Sequence, residues 1–203
     1  MEKIYEEYQG FDSLTIAEII KDTEEAYETG TPEKLAPAGE ISKTVATDSK
    51  TTYYDNQPYK VINTEGEDEF SLVTPILPIE TVGKILGKTV DEATGALLDD
   101  GQPITKYFAL SYRLLFTDGT YRYVQRHKVS FSLGDESAKS KDSSTDTNNQ
   151  SFTAKGISTI HKFTKTGKVS KGIIVDEHDK KCDVSEWFNE VVTPDNIKPI
   201  ATQ

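Results

Sequence analysis

Chemistry-bearing residues are scarce in this chain, and each shortage removes a class of function. One cysteine, Cys182, in 203 residues excludes an intrachain disulfide framework. Three histidines, His127, His161 and His178, lie far apart. No serine sits in a Gly-x-Ser-x-Gly elbow, and neither a phosphate-binding loop nor a dinucleotide fingerprint occurs. No run of 18 apolar residues is present to span a bilayer, and the opening MEKIYEEYQGFD lacks the apolar core of a signal peptide. Synthesis and folding in the cytoplasm are therefore expected. Positive charge is short as well: 23 Lys and Arg face 34 Asp and Glu, a net charge of −11. Binding nucleic acid depends on cation clusters that release counterions from phosphates, so this balance argues against such a surface.

What the chain does have is strand pattern. In YFALSYRLLFTDGTYRYVQRHKVSFSL, residues 107–133, Phe108, Leu110, Tyr112, Leu114 and Phe116 alternate on one face. Tyr121, Tyr123, Val129 and Phe131 continue the period of two beyond Thr117, Asp118, Gly119 and Thr120. Asp-Gly accepts the positive φ of a tight turn, which sets the register of a long central hairpin. This predicts a mostly β domain.

Around that hairpin, residues 11–20 read as a strand before a charged turn, and residues 29–39, TGTPEKLAPAG, as a proline-restricted loop. Strand pattern resumes at residues 41–47. Residues 48–69 are long, polar and tyrosine-bearing, the pattern of a projecting hairpin or arm, and residues 70–74 read as a short strand. Ile79, Val82, Ile85 and Leu86 have helical spacing between Pro78 and Gly87, predicting one short helix packed on a sheet edge. Residues 134–150 form a Ser/Thr/Asp/Asn tract without an apolar anchor, expected to be mobile in isolation. Residues 151–163 and 168–176 predict a second strand pair. VSEWFNEVV, residues 184–192, predicts a helix burying Trp187 and Phe188, and residues 193–203 an exposed arm.

Candidate sites are few. Asp176, Glu177, His178, Asp179, Cys182 and Asp183 are metal-ligand types, yet only His178 and Cys182 have a zinc-like spacing and no second pair exists, so a surface turn is the better reading. Asp183 or Ser185 fits a helix cap. The run Glu65 to Glu69 lacks the alternating oxygen ligands of an EF-hand and reads as a solvated charge run. Tyr121 and Tyr123 adjoin Arg122, Arg126 and Lys128, but strand alternation places the cations opposite the tyrosines, the pattern of core tyrosines with snorkelling cations rather than a stacking groove. No catalytic residue, cofactor or metal is expected.

Taken in order, TPEKL, TTYYDNQPYKVINTEGEDE, LPIETVGKILGKTVDEATGAL, FALSYRLLFTDGTYRYVQRHKVSFS and DVSEWFNEV resemble the major tail protein family of long-tailed bacteriophages, the tail tube subunits. The resemblance runs from about residue 31 to residue 192 and is poorest at both ends. It implies a β-sandwich or barrel with one or two short flanking helices and long loops. The implied organisation is an N-terminal arm or first strand over residues 1–30, a tube domain over residues 31–192 and a tail over residues 193–203. It also implies subunits that form rings, usually hexameric, stacked into a hollow tube of the virion. The implied partners are further copies of the chain, a tape-measure protein, terminator and tail-tip proteins, and DNA that passes without specific binding. Six copies would carry a formal charge of roughly −66, enough to repel phosphates near an acidic lumen wall.

Within that reading, Tyr53, Tyr54, Asp55, Asn56 and Tyr59 are the candidate inter-subunit contacts, and residues 137–150 a segment that orders on assembly. Two other classes compete. One is a carbohydrate- or receptor-binding β-sandwich of a tail tip or cell surface, stacking Trp187 or the tyrosines on sugar. The other is a small hydrolase joining His127 or His161 to a carboxylate and a nucleophile.

Overall fold

The computed structural model describes residues 5–99, 101, 104–134 and 149–200. Its strands are β1 (Tyr8–Asp22), β2 (Tyr27–Thr29), β3 (Glu33–Lys34), β4 (Glu40–Tyr54), β5 (Gln57–Thr74), β6 (Thr89–Val90), β7 (Leu97–Leu98), β8 (Phe108–Phe116), β9 (Tyr121–Leu133), β10 (Gln150–Gly156) and β11 (Gly172–Asp176). One helix, α1 (Ile79–Leu86), and one 3-10 turn, Glu177–Asp179, complete the described elements. The fold is mainly β, as the alternation predicts. Nine strands join in one sheet of order β2-β1-β8-β9-β10-β5-β4, with β11 also on β9 and β3 on β1, while β6 and β7 form a separate ribbon.

The β8/β9 hairpin is the predicted spine. Gly119 takes φ 86° in its turn, where Asp118 caps the amide of Thr120 at 2.8 Å. On its far side β9 serves two partners end to end, β11 along Arg122–Arg126 and β10 along Val129–Leu133. This corrects the expected second hairpin. Residues 151–163 and 168–176 form no strand ladder with each other, sharing the bridge from Phe163 to Lys168 and hydrogen bonds between Thr159 and Ser170, and each segment pairs instead with β9.

A bulge in β9 decides what the sheet's faces carry. Phe108 pairs with Val129 but Leu110 with Arg126, so Ala109 stands opposite both His127 and Lys128. The extra residue reverses the alternation. Val124 and Val129 therefore share one face and one core, with Leu14, Ile16, Phe70, Leu72, Phe108 and Leu110. Tyr123 packs on the other face with Trp187 and Val192. Lys128, expected opposite the tyrosines, falls on their side and pairs with Asp22 at 2.6 Å. Arg126 and Lys128 do not snorkel: both are buried, each held by an aspartate.

The inner core is closed by α1, whose Val82, Ile85 and Leu86 join it. Pro78 starts the helix and Gly87 ends it at φ 63°, where a Cβ would lie 1.8 Å from the Ile104 carbonyl oxygen. The helix lies against the central strand β9 rather than on the expected sheet edge. Its three apolar side chains need a deep apolar surface, which an edge strand does not offer. Residues 30–39 cross from one side of the sheet to the other: Leu35 N donates to Leu14 O in β1 at 3.0 Å, and Gly39 N to Val73 O in β5 at 3.1 Å. Since β1 and β5 are separated by β8, β9 and β10, this strap records a sheet that curls towards closure.

The outer face is covered by the C-terminal segment. The helix expected at residues 184–192 does not form; isolated turns occur instead, with Trp187 N donating to Val184 O and Asn189 N to Glu186 O. Trp187 is buried as expected. Its ring packs on Tyr123 at 5.6 Å between ring centroids, so tertiary packing buries it without a helix. Nor is the tail an exposed arm up to residue 200. Asp183 N donates to Lys198 O and Ile200 N to Lys181 O, and Ile197 packs on the Trp187 cluster.

Candidate assembly surfaces

The predicted projection at residues 48–69 is a two-stranded ribbon built from the distal halves of β4 and β5. The two strands pair from Glu40 opposite Val73 to Tyr54 opposite Gln57. However, β10 supports β5 only over Asp68–Thr74. Beyond Asp68 no third strand among the described residues pairs with the ribbon; Lys155 and Lys171 reach its base at Glu67, Gly66 and Glu65, and its outer residues are largely exposed. An isolated two-stranded ribbon in water is marginal at best, so it calls for another surface.

All five candidate contacts lie at its tip. Asp55 and Asn56 take φ 50° and 60°, the double positive φ of a two-residue type I′ turn, which Asp and Asn tolerate. Thr52 pairs with Lys60 but Tyr53 with Pro58, leaving Tyr59 as a bulged extra residue. Tyr54 and Tyr59 consequently meet edge to face, 5.1 Å between centroids. Tyr53, Tyr54 and Tyr59 remain 65%, 64% and 75% exposed. Three exposed tyrosines on one tip are the enrichment expected of interface anchors.

At the opposite end of β4 the curled sheet leaves an open mouth. The first residues of β1 and β4 face each other across β8 and β9 around a cavity of about 620 Å³, whose apolar lining includes Phe11, Ile41, Leu114 and Val124. Lys43, Arg122, Arg126 and Glu40 are its ionisable members with Tyr8 and Tyr112. Arg122 is committed to Asp176, its Nη2 donating to Oδ2 at 2.7 Å.

Arg126 and Lys43 belong to a cluster that the sequence reading missed. Asp68, expected within a solvated acidic run, is 3% exposed. Its carboxylate meets Arg126 Nη1 at 3.2 Å, Lys171 Nζ at 3.4 Å and Lys43 Nζ at 3.8 Å. Asp68, Phe70, Leu72 and Thr74 are all buried, and that period of two was the available signal. Glu65 and Glu69 on the same run are exposed. Arg126 Nε is buried and has no hydrogen-bond partner among the described residues.

The remaining candidates are structural. Asp176 is held below its ordinary range chiefly by Arg122, Glu177 accepts the Tyr121 amide at 2.9 Å, and the His178 ring lies on Phe116. Burial pushes the Cys182 thiol up. Among the described residues no three such groups converge on a metal-sized point. Asp183 Oδ1 caps Ser185 N at 3.0 Å, although no helix follows. Of residues 137–150, residues 137–148 lie outside the described residues, while the Gln150 side chain accepts the Leu77 amide at 3.0 Å.

The two histidines considered as bases meet carbonyls. His161 Nδ1 faces Glu24 O at 3.2 Å. His127 is buried, with Nε2 donating to Val192 O at 2.9 Å and Nδ1 accepting from Ser170 at 3.0 Å. It ties the C-terminal segment to the sheet. Burial pushes its pKa down to about 4, so the unfolded chain takes up a proton that the folded one refuses. The resulting stability is present above pH 6.5 and lost as pH falls towards 4, by on the order of 3 kcal/mol. Urea unfolding at pH 7, 6, 5 and 4.5 is expected to trace that loss, and His127→Gln to flatten it. Asp22 acts lower in pH: burial raises its pKa, but Lys128 and the amides of His161 and Ile160 outweigh this and hold it low.

Neither a protein-family model nor a curated protein matches the chain.

Proposed function

We propose that this protein is a structural subunit of a long-tailed phage tail tube, which assembles with copies of itself into stacked rings, hexameric by the resemblance, around a channel for DNA. The observation that carries the reading is the unsupported β4/β5 ribbon with its three exposed tyrosines. A strand pair that projects beyond its own domain, bearing interface-type side chains, is suited to reaching a neighbour. The rigid curled sheet offers that neighbour a fixed wall, and the charge of −11 suits a channel that DNA must not adhere to. On this reading the partners are the tape-measure, terminator and tail-tip proteins, and the protein resides in the virion.

Negative-stain electron microscopy of the concentrated protein tests the proposal. Rings or filaments with a central hole are expected. A compact single particle under every nucleating condition would remove it.

The same tyrosines support a second reading, a glycan- or receptor-binding module. Here the geometry is less favourable: Tyr54 and Tyr59 stand at 79° to each other, whereas stacking on sugar calls for a flat aromatic face. Trp187, the other stacking candidate, is buried.

A further inference from the structure

We infer that the ribbon tip of one copy seats in the mouth of the curled sheet of the next, with Asp55 of the first facing Lys43 and Arg126 of the second. The inference rests on the self-assembly reading above and names the two surfaces that meet.

The lining of the mouth carries more cations than acids: Lys43, Arg122 and Arg126 line it against Glu40 alone, and the carboxylates of Asp68 and Asp176 that pair with them are not part of the lining. Lys171, the third cation on Asp68, also reaches Glu65 at 3.9 Å, and Arg126 Nε has no acceptor among the described residues. The Arg126 side chain is only 9% exposed, so this donor is not left to bulk water. Lys43, with 32% side-chain exposure, is the cation of the cluster that an incoming carboxylate can reach. Glu40, the one acid on the lining, sits exposed at the rim. The rest of the wall is apolar, and a cavity of about 620 Å³ lies within the range of pockets that enclose a ligand.

The tip has the matching composition. Between Thr52 and Tyr59 the only ionised side chain is Asp55, and three tyrosines surround it. The two-residue turn keeps the end of the ribbon narrow, as an insertion requires. Tyrosine puts an apolar ring against such walls and keeps its hydroxyl free for polar groups.

A chain cannot fill its own mouth. Lys43 lies on β4 and Asp55 in the turn that follows it, twelve residues on, a span of about 40 Å at roughly 3.3 Å per residue. The two surfaces therefore meet only between copies. Being different patches, they make a head-to-tail contact that passes from copy to copy.

A charge swap tests the pairing. Asp55→Lys and Lys43→Glu are each expected to reduce assembly, read by light scattering and negative stain, at least tenfold at unchanged far-ultraviolet circular dichroism. Their combination is expected to restore it. Because Lys43 also touches Asp68, a second measurement avoids that site. In a Cys182→Ser background, copies with Asn56→Cys are mixed with copies carrying Ile41→Cys, and oxidation is expected to give disulfide-linked pairs in the mixture and none in either variant alone. Wild-type tubes with no cross-link, or with single charge variants that assemble normally, would overturn the inference and leave the tube reading standing. Wild-type protein that never assembles would remove both.

Discussion

Removing residues 50–59 is expected to leave a folded monomer that forms neither rings nor tubes. The cut lies beyond Asp68, where the support of β10 ends, so no inner-core side chain is lost. Ser49 then joins Lys60, and the shortened strands keep their pairing from Glu40 opposite Val73 to Asp48 opposite Thr64. Exposed changes of this kind alter stability little, within about 0.5 kcal/mol, and the thermal midpoint is expected to stay within a few degrees. Assembly is another matter. Interface tyrosines acting as anchors contribute about 2 kcal/mol each, and losing three lowers contact affinity on the order of 10⁴-fold. Analytical ultracentrifugation with negative stain separates these outcomes. Normal tubes from the shortened protein would remove the ribbon from the interface and with it the main support for the proposed function.

The second large effect falls on folding. Asp68→Ala leaves Lys43, Arg126 and Lys171 facing one another without their shared carboxylate. Lys43 and Lys171 retain 32% and 22% side-chain exposure and can turn to water, but Arg126 cannot. Breaking a buried pair by removing one member costs about 3–5 kcal/mol, a large part of the roughly 5–15 kcal/mol that holds a domain together. A fall of that size in the urea unfolding free energy is expected. Replacing the pair together, Asp68→Leu with Arg126→Met, is expected to recover most of it, since no charge is then left buried alone. If Asp68→Ala unfolds like the parent protein, the cluster is solvated and the mouth is not the electropositive cavity described here.

Much of the fold was legible locally. The alternation of Phe108 through Phe116, the Asp-Gly turn, Pro78 and Gly87 around α1, and the projecting tyrosine-bearing hairpin all follow from periods and turn preferences within a few residues. The exposure of Tyr53, Tyr54 and Tyr59 was also legible, since they flank a turn too polar to be core. The mouth was not. Its lining comes from β1, β4, β8, β9 and β11, and nothing in any one segment announces the other four.

By itself, then, the sequence determined the mainly β character, the Asp-Gly turn, the bounds of α1, the acidic balance and the absence of the familiar catalytic motifs, because these depend on side-chain period, φ preference and counts. Only the tertiary structure decided that β9 bulges at His127 and Lys128, that β10 and β11 share its free edge, that Trp187 is buried without a helix, and that Asp68 gathers three cations. Each of these is a choice of partner across the chain. One extra residue in a strand exchanges its two faces, and a carboxylate is buried or solvated according to cations that lie far away in sequence.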